Sequence, residues 1–156
     1  MNYKFLCDTF RKNREYTGIC EALNRPEIGK RKPYYVSGLS DGAEPLFLKS
    51  LCEDFGNAYS PVILIFADEK KAVHYRDFFL SAGISSDYFP AREYCFNNVT
   101  SSHEYENVRL KVLTALSGLS EGASVICTTA EAVLQVTMPL LGFYVLDRIL
   151  KKEYHA

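Results

Sequence analysis

No run of about 18 apolar residues exists anywhere in the chain, so nothing in it reads as a membrane-spanning helix. The first residues, MNYKFLCDTFRKNREY, carry charge throughout and lack the apolar stretch of a secretory signal. An excess of one charge is missing too. Lys and Arg total 18 against 19 Asp and Glu, for a net charge of -1, which argues against a basic tail or a broad positive field for holding DNA. The five cysteines (Cys7, Cys20, Cys52, Cys95, Cys127) include no C-x-x-C pair, and the nearest two lie 13 positions apart. With only three scattered histidines (His74, His103, His155), the spacing that zinc ligands need is absent, and buried thiols packing as small hydrophobes are expected instead. What is present is ordinary globular composition, 47% hydrophobic and 24% charged over 156 residues. A chain of about 150 residues can bury roughly 70% of its unfolded surface, so one cytoplasmic domain is the expectation.

Hydrophobic periodicity orders the elements. A helix is predicted from Asp8 to Leu23, with Phe10, Ile19 and Leu23 as its apolar positions and an interruption at Thr17-Gly18. Asn24 to Pro33 reads as a loop, and its Lys30-Arg31-Lys32 as a solvated lead-in to a strand. Tyr34-Tyr35-Val36-Ser37 then reads as a first strand, followed by a helix carrying Phe47, Leu51 and Phe55 up to Gly56. Pro61 to Phe66 is a continuous apolar run, the pattern of a strand buried on both faces. Asp68 is placed to cap a helix with Ala72, Tyr75, Phe79 and Ala82 at helical spacing. Asp87-Tyr88-Phe89 is a third strand, stopped by Pro90. Ser101 with Glu104 forms a capping-box pattern before a helix bearing Tyr105, Val108, Val112 and Leu116. Ser124 to Cys127 is a fourth strand, with a short helix opening at Thr129 or Glu131. Strands alternating with helices imply an α/β fold with a largely parallel sheet.

Ligands of such sheets bind beyond the carboxyl ends of the strands, so the first strand-to-helix turn is the place to look. A phosphate loop reads G-x-x-x-x-G-K-[ST], with backbone amides around the phosphates, a lysine to neutralise them and a hydroxyl on magnesium. With its second glycine on Gly42, Ser37 stands at the first glycine, Ala43 at the lysine and Glu44 at the hydroxyl position. Both charge-handling groups are lost, and Glu44 would repel a triphosphate. At an effective dielectric of about 20, like charges ~4 Å apart cost on the order of 4 kcal/mol. Gly38 and Gly42 are better explained by a tight turn and a close helix–strand contact than by an anion site. His103 beside Glu104 is no catalytic pair, since neighbouring helix positions do not face each other. No residue qualifies as catalytic, and no cofactor or metal is expected.

Several segments together resemble a known family. Tyr34 to Ala43, Val62 to Ala72, Phe89-Pro90-Ala91-Arg92-Glu93-Tyr94, Ser102-His103-Glu104 with Arg109-Leu110, and Thr128 to Gln135 follow one another as in the start of bacterial transcription-repair coupling factor. The likeness covers roughly residues 5 to 138. It implies a RecA-like (P-loop NTPase-like) domain similar to the B protein of the bacterial excision nuclease, with the degenerate phosphate loop of Ser37, Gly38, Gly42, Ala43 and Glu44. The segment from Pro90 to Arg109 is too short for that relative's DNA-gripping hairpin. The family's full-length members are ATP-driven DNA translocases that displace stalled RNA polymerase and recruit the A protein of the excision nuclease. The resemblance assigns the motor and partner-binding parts to regions outside this chain.

The expected organisation is an N-terminal helix and linker over residues 1–32, an excinuclease-B-like domain over 33–138, and a divergent tail over 139–156. The helicase motif that ligates magnesium has no counterpart before Ala156, so a truncated chain is expected, with Phe143, Tyr144, Val145 and Leu146 forming an apolar interaction surface. The leading function is a non-hydrolysing scaffold in transcription-coupled DNA repair. One alternative is an active nucleotide-binding helicase domain. Another is a DNA-binding module using Lys30-Arg31-Lys32, Arg92 and the aromatics Tyr88, Phe89, Tyr94 and Phe96.

Overall fold

The run Val125–Thr129 (strand β3), β-branched at each position but Cys127, forms the middle of a three-stranded sheet, with β1 (Val62–Phe66) on one side and β2 (Ser86–Phe89) on the other. Both pairings are parallel, with Val125 opposite Val62 and opposite Ser86. The computed structural model describes residues 3–24, 34–55, 61–92, 104–118 and 121–135. Around the sheet lie α1 (Lys4–Arg11), α2 (Arg14–Leu23), α3 (Glu44–Phe55), α4 (Glu69–Ser81), α5 (Glu104–Leu116) and α6 (Ala130–Leu134). The α/β class and the parallel sheet follow from this arrangement. Among the described residues no helix is long and apolar enough to cross a membrane.

The strand period of two divides the core between the two faces of β3. Val125 and Cys127 pack with Phe66, Cys52 and the α4 residues Ala72, Tyr75 and Phe79. Ile126 points the other way and packs with Phe89, Val112 of α5 and Ala132 of α6. Helix α4 has both ends marked in the sequence. The Asp68 side chain accepts the Lys71 amide at 2.8 Å. At the other end, Gly83 at φ +81° allows its own amide to reach the Leu80 carbonyl at 3.1 Å, and the Ile84 amide to reach that of Phe79 at 2.9 Å. Asp68→Ala is expected to cost about 1 kcal/mol, measured by urea denaturation.

Four expectations are corrected. The N-terminal helix is two helices, and the break falls at Asn13, not at Gly18. The Asn13 side chain accepts the Glu15 amide at 2.7 Å and starts α2, which carries Gly18 in its interior. Tyr34 to Ser37 is not a strand, so the described sheet has three strands instead of four. Among the described residues β1 lies at the sheet's edge and is not buried on both faces: Ile63 and Ile65 are 52% and 57% exposed. The turn before α3 therefore does not follow a strand. Ser101, Lys30 to Lys32 and the 139–156 tail lie outside the described residues.

Helices α1 and α2 are fastened to α3 by charge and by aromatic edges. The Arg11 guanidinium reaches Asp8 at 3.1 Å, Glu53 at 3.0 Å and Asp54 at 2.8 Å. The Tyr16 hydroxyl donates to Asp54 at 2.7 Å, and the rings of Phe10 and Tyr16 both stand edge-on to Phe47.

Candidate functional site

The turn from Ser37 to Glu44 uses its amides locally. The Ala43 and Glu44 N–H groups both donate to the Ser40 carbonyl, at 2.9 and 3.0 Å. Those are the amides at the lysine and hydroxyl positions of the phosphate-loop pattern, where a functional loop would aim them at phosphate. Gly38 takes a left-handed conformation at φ +82°, which requires glycine, whereas Gly42 has no positive φ. The five residues also divide between two grooves. Ser37, Gly38 and Glu44 line a cavity of about 670 Å³ together with Ile19, Leu23, Phe47 and Leu51. Gly42 and Ala43 line another of about 360 Å³, shared with Leu6, Phe10 and Leu46. A phosphate group would need them on one concave surface.

Glu44 has a partner that the sequence pattern does not reveal. Its carboxylate accepts from Lys71 Nζ at 3.2 and 3.3 Å, joining the start of α3 to the first turn of α4. The same ammonium lies 5.7 Å from the centre of the Tyr75 ring. Burial pushes the Tyr75 hydroxyl above the usual phenol range, and the carboxylates of Glu44 and Asp41 push it further. Glu44 thus neutralises a lysine and stiffens a helix pair.

A second polar cluster forms at the carboxyl end of the sheet from residues far apart in the chain. Arg109 is 3% exposed, donates to the Pro90 carbonyl, and lies 4.2 Å from the centre of the Phe89 ring. Its guanidinium also reaches Gln135 Oε1 at 3.4 Å. The Gln135 amide then pairs with the backbone of Arg92, accepting from its N–H at 2.6 Å and donating to its carbonyl at 3.2 Å. This arrangement ties the exit of β2 to the end of α6. Phe89 and Arg92, offered above as DNA contacts, are engaged here: the ring lies under a guanidinium and the Arg92 backbone is held by an amide. Tyr88 is half-buried. Burial raises its hydroxyl above the usual phenol range, and Glu69, Tyr105 and Glu131 raise it further. His103, Tyr94 and Phe96 lie outside the described residues.

In the sequence Arg109 and Gln135 stand as motif residues without a role, and nothing marks Lys71 as the partner of Glu44. A buried arginine announces itself only through its spacing from an aromatic on another element, which no local pattern carries. Among the described residues no group of three His, Cys, Asp or Glu side chains is placed to hold a metal ion. The chain matches no family model, no curated protein and no solved structure.

Among the described residues Cys7, Cys52 and Cys127 are buried and Cys20 is half-buried. Burial pushes the Cys52 thiol up to about 12 and the Cys127 thiol up to about 11. Alkylation by iodoacetamide at pH 8 is therefore expected to spare both until urea unfolds the chain, as mass spectrometry would read. The sign for stability follows: thiols protonated in the fold ionise in the unfolded chain first. Their contribution is intact below pH 9 and is lost between 9 and about 12 for Cys52.

Proposed function

We propose that the chain is a non-hydrolysing, scaffold-type module with a RecA-like fold, belonging to a transcription-coupled DNA repair factor. The observation that carries the non-hydrolysing part is the spent loop: the Ala43 and Glu44 amides are held by Ser40, and the Glu44 carboxylate by Lys71. A nucleoside triphosphate would have to break that ion pair and face an uncompensated carboxylate. The family part rests on the resemblance in the sequence. It is supported by the way three of its motifs, Phe89 to Arg92, Arg109 and Gln135, meet in one cluster. In this reading the parent protein is the ATP-driven translocase. RNA polymerase and the A protein of the excision nuclease are partners reached mainly through other parts of it, and DNA is held there and not strongly by this module. A cytoplasmic setting follows.

Calorimetric titration tests the reading. With ATP and magnesium up to about 1 mM, a ligand concentration matching only about 4 kcal/mol of binding, no saturable heat is expected. Micromolar binding that disappears in Gly42→Asp would overturn the scaffold assignment in favour of a nucleotide-binding helicase domain. Fluorescence anisotropy with labelled DNA at low salt is the parallel measurement. Saturation at micromolar protein would instead establish the DNA-binding alternative.

A further inference from the structure

We draw no further inference here: the strongest candidate, the apolar cavity of about 670 Å³ between α2, α3 and residues 34–39, carries no proposal because nothing in the structure shows what fills it, and its one charged lining residue, Glu44, is already paired with Lys71.

Discussion

Phe79→Ala is expected to lower stability by about 3–5 kcal/mol, with the urea midpoint falling and its slope unchanged. The phenyl ring is fully buried and lies where α4 meets the sheet, between Tyr75 and Phe78 and within the cluster of Phe66, Val125 and Cys127. Its removal costs the transfer of its apolar surface plus the cavity left behind, and the neighbours cannot collapse into it easily. Val125 and Cys127 are held by a central strand paired on both sides, and Tyr75 is fixed against Phe66 with ring centres 4.6 Å apart. For a domain whose whole stability is about 5–15 kcal/mol, that loss leaves a large unfolded population at 37 °C. Leu80, the next residue, is half exposed on the outer side of the same helix. Leu80→Ala is expected to stay within about 1 kcal/mol, so the pair separates core packing from helix propensity.

That core was largely legible in the sequence, because it rests on local periodicity. Ala72, Tyr75 and Phe79 recur at helical spacing between a cap at Asp68 and a stop at Gly83, and the structure places all three against β3. The parallel pairing of β1, β2 and β3 followed from the alternation of strands and helices. What failed was non-local. An apolar run such as Val62 to Phe66 reads the same in the centre of a sheet as at its edge. Its position depends on which strands pair with it, and in the described sheet β1 pairs with β3 alone. The helix break at Asn13 was missed for a different reason. Gly18 drew attention as the weaker helix former, but an asparagine that bonds to the amide two residues on ends one helix and begins another at no net loss.

The site divides along the same line. Loss of the lysine and the hydroxyl was visible as Ala43 and Glu44, since a phosphate loop is a contiguous pattern. The reason the turn holds together without a ligand was not visible, because Lys71 arrives from another helix, 27 positions away. Glu44 is unfavourable for a nucleotide and favourable for the α3–α4 contact. Partly exposed pairs of this kind contribute about 0.2–1 kcal/mol, so its larger effect is on which ligands the turn rejects.

Arg109→Ala is expected to cost about 3 kcal/mol, from two losses. The Pro90 carbonyl, buried beneath the guanidinium, is left without its donor, worth about 1–3 kcal/mol. Removing the cation from the Phe89 ring, 4.2 Å away, forfeits about 1–2 kcal/mol more. Arg109→Lys is expected to recover little of this, because an ammonium cannot lie flat on the ring while donating to both Pro90 and Gln135. Two further variants separate the cluster's parts. Gln135→Ala removes both bonds to the Arg92 backbone and is expected to cost about 1–2 kcal/mol. Arg92→Ala leaves those backbone bonds in place and is expected to change stability by no more than about 0.5 kcal/mol. Urea midpoints for the four variants check the order. If Arg92→Ala were as damaging as Arg109→Ala, the exposed side chain and not the buried guanidinium would be the group that holds the end of β2 to α6.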